Sequence, residues 1–302
     1  MDVPRMGVSL PHFGPHVGPD AVVTVAQAAE RFGFHAVSVS DRLLMPVRPG
    51  WRNDAELPES HVWDPLEMLT WAAAHTRRIR VSTGIVNAIF QPPIVLARRL
   101  ATLDQLSRGR LDAGLGQGGG GTAETSYLIP EEFTAAGVPI GRRGSGFVEH
   151  VAAMRACWGP DPVEFHGDHY QIPRSMVGPK PYTGTIPLFF GALVRSTIER
   201  AAQRADGVVL VALDWEETRT KIGWYRDAGG TGTVVVNTIP TYPDGRVTAA
   251  ALTDAVLADL DRAAAVGADE MHISLNLGIP VPPERQAELL GTLAAKVGLD
   301  HT

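Results

Sequence analysis

Residues 79–121 read IRVSTGIVNAIFQPPIVLARRLATLDQLSRGRLDAGLGQGGGG, a stretch that holds a strand, a crossover helix and a second strand. Residues 79–86 form a short β-branched run. Pro92-Pro93 then precede residues 94–106, whose apolar positions recur at helical spacing. The second strand begins at Arg110 and runs into five glycines among the six residues 116–121, where the backbone can turn sharply or approach a ligand closely. Both strands therefore end at unusual loops, on the edge where parallel α/β folds place their chemistry.

The composition is that of a soluble globular chain. The 302 residues are 44% hydrophobic and 20% charged, with a formal net charge of -6, which gives no basic footprint for nucleic acid. The single cysteine, Cys157, excludes an intramolecular disulfide and a cysteine-cluster metal site. The sequence shows neither a signal peptide nor an apolar run long enough to cross a membrane. We therefore expect a cytoplasmic protein that binds neither nucleic acid nor membrane.

The order of strand and helix patterns predicts the fold. Strand segments begin near Met6, Ala36, Ile79, Arg110, Leu188, Val208, Thr233 and Glu270. Each of the first seven is followed by a helical pattern, and residues 283–297 supply the last helix. Eight such units predict a (β/α)8 TIM barrel, a fold of the α/β class. We expect it to form a single domain over residues 1–302. Residues 163–166 and 169–172 flank Gly167-Asp168 and predict a hairpin outside this pattern.

A doubly wound sheet is the rival fold. Residues 114–119 match the G-x-G-x-x-G string of dinucleotide-binding proteins directly after a strand. The glycines lead toward Pro130 rather than into a helix, so the helix N-terminus that would hold a pyrophosphate is missing. We therefore prefer the barrel.

Several motifs together resemble the bacterial luciferase-like flavin and deazaflavin superfamily. They are Ser40-Asp41, Gly84-Ile85, the segment LSRGRLDAGLGQG at 106–118, Arg143 with Glu149 and Trp158, Phe190-Gly191-Ala192, and the segment RAAQRADG at 200–207. The resemblance covers nearly the whole chain and implies a TIM barrel with insertions, in agreement with the eight units counted independently. It also implies a homodimer, for which Ile89, Phe90 and Leu96 would supply apolar surface near a barrel end.

The resemblance also implies a set of cofactor-binding residues. Asp41 matches a position beside the isoalloxazine or deazaflavin ring, and Asn87 a polar position that contacts it. Gly84 and Ile85 match a pair that is joined by a cis peptide bond in the deazaflavin branch and backs the ring. Gly191 and Ala192 match the backbone that holds the cofactor phosphate, with Ser196 as the cap of the following helix. Gly118 and Gly119, in the glycine run, complete the expected cofactor site.

The chain departs from the deazaflavin-dependent sugar-phosphate dehydrogenases of this superfamily at two places. Where they carry a catalytic His after the Asp and a Glu in the glycine loop, this chain has Arg42 and Gly121. That particular reaction is therefore not expected. Arg42 stays charged near neutral pH, so its role would be to orient an anion or to stabilise negative charge on the reduced ring. His12, Glu124 and Tyr127 are the candidate proton donors, since their loops share the predicted barrel mouth.

The resemblance implies an oxidoreductase that transfers hydride between coenzyme F420 and a small organic substrate. The alternatives are an FMN-dependent luciferase-like monooxygenase and a flavin-binding barrel without turnover. F420 has a long acidic tail, and seven cationic residues fall in loops expected at the mouth: Arg42, Arg48, Arg52, Arg142, Arg143, Lys180 and Arg195. This charge favours F420 over FMN. The pairs His12 and His16, and His166 and His169, lack the accompanying ligands of a metal site, so no metal is expected.

Overall fold

The computed structural model describes residues 3–49, 51, 62–120, 128–240, 248–277 and 281–299. Eight parallel strands close into a barrel in the order β1-β2-β3-β4-β7-β8-β9-β10, with β10 pairing back to β1. The barrel strands are β1 (Arg5–Ser9), β2 (Ala36–Ser40), β3 (Arg80–Asn87), β4 (Leu111–Gly116), β7 (Leu188–Gly191), β8 (Gly207–Ala212), β9 (Thr233–Thr238) and β10 (Glu270–Ile273). The structure thus confirms the predicted TIM barrel and excludes the doubly wound sheet.

Helices surround the barrel. They are α1 (Pro19–Arg31), α2 (Pro65–Ala74), α3 (Pro93–Ser107), α4 (Pro130–Ala136), α5 (Ser145–Trp158), α6 (Arg195–Arg204), α7 (Trp215–Asp227), α8 (Ala249–Val266) and α9 (Pro283–Val297). Short 3₁₀ helices cover Ala88–Phe90 and Ile140–Arg142. The strands β5 (Val163–His166) and β6 (Gln171–Ser175) pair antiparallel outside the barrel, which confirms the expected hairpin with its second strand two residues later. None of the described helices has the length and apolarity needed to cross a membrane.

Side chains alternate between the two faces of the barrel wall. Val37 and Val39 pack outward into the main core, between the strands and the helices. The alternate positions on the same strand, such as Ser38 and Ser40, face the interior of the barrel. The interior also holds a separate apolar cluster of Ile85, Phe189, Val209 and Val235. The helices are therefore held by an apolar shell, whereas the inside of the barrel is mixed in polarity.

A buried ion network closes the barrel where the first and last strands meet. Glu270 on β10 accepts from Arg5 Nη2 at 2.6 Å and lies 3.3 Å from His35 Nε2 and 3.2 Å from His272 Nε2. Burial alone would raise the pKa of Glu270, but hydrogen bonds from His272 and His35 outweigh it and hold that pKa well below its usual range. Glu270 is thus a carboxylate that joins elements from both ends of the chain.

The apolar residues expected to supply surface for a homodimer are largely buried. Ile89 and Leu96 are only 1% and 0% exposed, and Phe90 stacks edge-on against Phe133 at 5.0 Å. Ile89 and Leu96 therefore offer no surface for a second copy, and Phe90 is partly buried against the core.

Candidate active site

The third strand carries a bulge at the mouth of the barrel. Between β2 and β3 the register passes from Val39 opposite Thr83 to Ser40 opposite Ile85, which leaves Gly84 unpaired. The Asp41 backbone N–H donates to the Ile85 carbonyl at 3.0 Å, and Asp41 Oδ2 accepts from the Asn87 backbone N–H at 2.9 Å. Three of the expected cofactor-binding residues, Asp41, Ile85 and Asn87, therefore meet at one point.

The expected cis bond at this bulge is wrong. Within the described residues the cis peptide bonds are Asp161-Pro162 and Gly178-Pro179, so Gly84-Ile85 is trans. The unpaired Gly84 already produces the register shift on both sides of β3, against β2 and against β4. The chain bulges without the cis bond, and that bond no longer argues for a deazaflavin rather than a flavin.

The Ile85 side chain lies in space that glycines leave open. A Cβ on Gly191 would stand 2.5 Å from Ile85 Cδ1, and one on Gly116 would stand 2.6 Å from Ile85 Cγ2. Ile85 also packs on Phe189, Val209 and Val235 inside the barrel. Ile85, Phe189, Val209 and Val235 form an apolar platform at the mouth, and a flat aromatic ring could bury one of its faces against it.

The Asp41 carboxyl, just after the end of β2, has a raised pKa. Burial raises its pKa to about 6, against the opposing hydrogen bond from Asn87, and the nearby carboxylates Glu132 and Asp64 push in the same direction as burial. Asp41 can therefore change its protonation state close to neutral pH. Perturbed carboxyls of this kind are frequent at functional sites.

Arg42 points toward α4. Its Nη1 donates to Glu132 Oε2 at 3.1 Å, and the two side chains are 13% and 1% exposed. Glu132 Oε1 also accepts from the Leu43 backbone N–H at 2.7 Å. Burial raises the pKa of Glu132, and Arg42 opposes that shift. The pair thus fastens the loop after β2 to α4, a contact that the sequence did not indicate.

The glycine run is packed against the protein itself. Gly118 and Gly119 have φ of 82° and 80°, which turn the backbone sharply after β4. A Cβ on Gly118 would stand 2.5 Å from Phe133 Cζ and 3.1 Å from Phe90 Cζ. The Gly119 carbonyl accepts from Arg143 Nη2 at 3.0 Å. The run therefore forms an ordered turn that positions Arg143 beside the mouth.

Two guanidinium groups lie together next to this turn. Arg200 Nη1 donates to Gln117 Oε1 at 3.2 Å, and Gln117 Oε1 also accepts from the Gly144 backbone N–H at 2.9 Å. Burial lowers the pKa of Arg143, and the positive charge of Arg200 lowers it further. Arg143 Nε is buried with no hydrogen-bond partner among the described residues. Sequence reasoning missed Arg200, because its partner Gln117 is 83 residues away along the chain.

Neither guanidinium is neutralised by a carboxylate in the part of the chain that the structure describes. Two adjacent positive charges without a counterion repel each other, and an anion placed between them would remove that repulsion. We call Arg143, Arg200 and Gln117 the guanidinium pocket.

The loop after β7 differs from expectation. Gly191 borders the apolar platform, but Ala192 is 2% exposed and its backbone N–H donates to the Val209 carbonyl at 3.2 Å. Ser196 is not the cap of α6, because that helix begins at Arg195 with Val194 as its N-cap. The Thr197 hydroxyl accepts from the Leu193 and Val194 backbone N–H groups, each at 3.2 Å. Ser196 instead lies exposed in the first turn of α6.

Of the candidate proton donors, His12 lies at the mouth. It is 1% exposed, with Nδ1 2.7 Å from the Leu10 carbonyl and Nε2 2.8 Å from the Ser40 hydroxyl. Burial lowers the pKa of His12 to about 4. Glu124 and Tyr127, like Gly121 and Arg52, fall outside the described residues.

The expected ring of cations at the mouth is partly wrong. Lys180 Nζ donates to the Cys157 carbonyl at 2.9 Å near the end of α5, and the Lys180 carbonyl accepts from Gln105 near the end of α3. Both helix ends lie at the barrel end opposite the mouth, because each helix runs antiparallel to the strand before it. Arg48 and Arg195 pair with Glu131 and Glu199. In the described residues, no cluster of three His, Cys, Asp or Glu side chains is arranged to hold a metal ion.

The comparisons with known proteins agree with this geometry. The family model described as luciferase-like monooxygenase matches residues 5–274. The chain belongs to this family. An uncharacterised protein of Mycobacterium tuberculosis is 32% identical over 197 residues, 63% of this chain and 67% of that protein. An F420-dependent glucose-6-phosphate dehydrogenase of the same organism is 27% identical over 204 residues, 67% of this chain but 56% of that protein.

A solved structure described as a long-chain alkane monooxygenase superposes with a TM-score of 0.75 at 13% identity, covering 99% of this chain and 92% of that one. At this identity the likeness shows the fold. The family and its relatives support an oxidoreductase or monooxygenase with a deazaflavin or flavin cofactor.

Proposed function

We propose that this luciferase-like protein is an oxidoreductase that transfers hydride between coenzyme F420 and a small organic substrate. The observation that carries the proposal is an apolar platform adjoining a pocket of positive charge. Gly116 makes room for Ile85 of the platform, and the next residue, Gln117, accepts a hydrogen bond from Arg200. A ligand that fits both has a flat ring at one end and an anionic group at the other.

The residues fit such a cofactor. Ile85 would lie under the ring, with Asp41 and Asn87 at its edge, and Gly118 and Gly119 would hold the turn beside it. The guanidinium pocket would take the phosphate, with the buried and unpartnered Arg143 Nε as one donor. Gly191 ends β7, Ala192 follows it, and Ser196 lies in the first turn of α6, where the acidic tail would extend. A bound deazaflavin supplies a hydride donor or acceptor at C5 that does not readily activate oxygen.

F420 is preferred to FMN because its tail carries more negative charge than a single phosphate, and because an F420-dependent enzyme is among the relatives. An FMN-dependent monooxygenase is the second candidate, favoured by the family model itself. In this proposal Arg42 is assigned to neither cofactor site, since its guanidinium pairs with Glu132 on α4.

Equilibrium titrations with F420, FMN and riboflavin test the proposal. The protein is expected to bind F420 at least about tenfold tighter than FMN, a difference of roughly 1.4 kcal/mol, and the preference should shrink as salt screens the tail. Arg200→Gln should weaken F420 and FMN by about tenfold, as for one charged hydrogen bond, and leave riboflavin unaffected because riboflavin lacks the phosphate.

Arg204→Gln is the matched control, since it removes the same charge from an exposed position in the last turn of α6. It should leave all three titrations unchanged. Equal or tighter binding of FMN, or oxygen consumption driven by NADH and FMN, would shift the assignment to a monooxygenase. Binding of a cofactor without turnover of any substrate would leave the non-catalytic barrel as the better description.

A further inference from the structure

The hydrogen bonds around His12 fix which of its ring nitrogens carries the proton. The Leu10 carbonyl can only accept, so His12 Nδ1, 2.7 Å away, carries the hydrogen. The Ser40 backbone N–H can only donate, and it lies 3.3 Å from Nε2. Nε2 is therefore the nitrogen with the lone pair, and the Ser40 hydroxyl, 2.8 Å away, donates to it.

A second layer of buried amides holds the ring in this orientation. Asn276 Nδ2 donates to the same Leu10 carbonyl at 3.0 Å, and Gln286 Nε2 on α9 donates to Asn276 Oδ1 at 3.0 Å. Asn276 and Gln286 are 4% and 0% exposed. The imidazole is thus locked by groups that come from the last strand loop and the last helix.

Ser40 is the part of this pair that the substrate can reach. His12 is buried, whereas Ser40 is exposed at the end of β2, on the interior face of the barrel mouth. Ser40 lies opposite Ile85 in the sheet register and directly before Asp41. Its hydroxyl is therefore next to the apolar platform.

We propose that Ser40 is a catalytic residue that exchanges the proton accompanying hydride transfer with a hydroxyl-bearing substrate, and that His12 is the base behind it. The inference rests on the proposed function and goes beyond it by assigning the proton path. The sequence pattern marked His12 as a candidate proton donor and Ser40-Asp41 as a family motif, but it did not indicate that the two side chains are in contact.

The step balances in both directions. A bound oxidised deazaflavin would supply the acceptor for the hydride of the alcohol C–H bond, and the alcohol O–H proton would pass to Ser40 Oγ. Ser40 gives its own proton to His12 Nε2, and the imidazolium later returns a proton through Ser40 to solvent. The products are the carbonyl compound, the reduced deazaflavin and one proton. Carbonyl reduction would run the same transfers backward, with a proton from solvent passing through His12 and Ser40 to the carbonyl oxygen.

The environment of His12 keeps its ring neutral. Burial lowers its pKa to about 4, so near neutral pH the ring is neutral and the Nε2 lone pair is available. The imidazolium formed during turnover is destabilised by the same burial, and it therefore releases its proton readily.

The first test uses the protein without cofactor. Nitrogen NMR of protein labelled in its histidines, with His12 assigned by its loss in His12→Asn, reports which ring nitrogen is protonated. We expect the Nδ1–H form near neutral pH, together with a change in the Nε2 signal in Ser40→Ala. An Nε2–H form in the wild type would overturn the proposal, since Ser40 could not then donate to that nitrogen.

The second test measures F420 reduction with ethanol, 2-propanol and cyclohexanol. Ser40→Ala should lower turnover by about 100-fold, within the range of general acid-base catalysis, and should remove the solvent deuterium isotope effect. Ser40→Thr keeps a hydroxyl on a residue that suits a strand, so it should restore most of the rate. His12→Asn can still donate to the Leu10 carbonyl but offers no basic nitrogen, so it should match Ser40→Ala.

The F420 dissociation constant is measured beside each rate, so that failure of the proposed function can be told from failure of the role proposed for Ser40. Thr292→Ala removes an exposed hydroxyl from α9 and is the control, expected to change neither quantity. A wild type that fails to bind F420 refutes the proposed function. A wild type that binds F420 but oxidises none of the alcohols, or a Ser40→Ala variant with unchanged rate and isotope effect, overturns the role of Ser40 alone.

Discussion

Asp41 makes the stability of the protein depend on pH in an uncommon direction. Its pKa is raised to about 6, so between about pH 4 and 6 the folded protein holds this proton more tightly than the unfolded chain does. The stability from the protonated carboxyl is therefore present at low pH and is lost as the pH rises through 6. Asp41→Asn cannot ionise, and its amide oxygen can still accept from the Asn87 N–H.

We expect the free energy of unfolding of Asp41→Asn, compared with that of the wild type, to be higher at pH 7.5 than at pH 4.5 by on the order of 1 to 2 kcal/mol. The value is smaller than the full pKa shift implies because the carboxyl is partly exposed. Denaturant unfolding at the two pH values measures this. Asp168→Asn, at an exposed position in the hairpin loop, is the control and should show no such difference. An Asp41→Asn variant whose stability follows the wild type at both pH values would mean that the carboxyl is solvated in the folded protein.

The sequence could predict which residues meet at the mouth when those residues lie at the ends of neighbouring strands. Asp41 and Asn87 lie at the ends of neighbouring parallel strands, so their meeting follows from the fold. Arg42 was assigned to anion binding because its partner Glu132 comes 90 residues later, in a segment without a clear pattern. The His12 and Ser40 pair was missed for a related reason, since a hydrogen bond across 28 residues has no sequence signal of its own.

At the scale of elements, the bulge in β3 depends on a glycine in β4. A Cβ on Gly114 would stand 2.2 Å from the Thr83 carbonyl oxygen and 2.6 Å from that of Gly84. These are backbone atoms, so neither can rotate away. Gly114→Ala should therefore force β3 and β4 apart and cost about 3 kcal/mol, the upper part of the usual range for overpacking.

Gly223 offers the matched substitution. It lies within α7, and a Cβ there would meet no heavy atom within 4 Å. Gly223→Ala should raise stability by about 0.5 to 1 kcal/mol through helix propensity. Thermal unfolding of both variants makes the comparison. A Gly114→Ala variant as stable as the wild type would show that the two strands separate easily at the bulge.

Strands were predicted better than helix caps. The starts of all eight barrel strands lie within one residue of their predicted positions, because short apolar runs between turn residues mark them clearly. The cap expected at Ser196 is wrong because α6 begins at Arg195, one residue before it. Asp64 is the cap of α2, with Oδ1 accepting from the Leu66 N–H at 2.9 Å.

At the scale of the whole molecule, strand order was predictable but the location of charge was not. Lys180 belongs to a loop that returns to the far end of the barrel, and the eight-unit count says nothing about where such an insertion runs. The homodimer implied by the resemblance stays a prediction that light scattering can check. Exposed apolar side chains on α2 and α3, namely Trp71, Ile94 and Val95, are available for it in place of the buried ones.

Glu270 links the first and last strands, so its ionisation should govern unfolding in acid. Its folded pKa is depressed, and its contribution is therefore complete above the pKa of about 4.3 expected in the unfolded chain and is lost as the pH falls below that value. Glu270→Gln leaves Arg5 and two histidines without their carboxylate.

Removal of one partner costs about 3 to 5 kcal/mol in a fully buried network, and the half-exposed Arg5 places this network at the lower end of that range. Glu270→Gln should accordingly be less stable than the wild type by about that amount at pH 7, and the difference should narrow below about pH 4.3, because the unfolded chain then gains a proton that the folded Glu270 still lacks. Denaturant unfolding across this range measures both values. Glu288→Gln, which breaks an exposed pair with Arg285, should cost less than about 1 kcal/mol at any pH. A wild type and Glu270→Gln variant that lose stability in parallel below pH 5 would place the acid-sensitive group elsewhere than at this junction of β1 and β10.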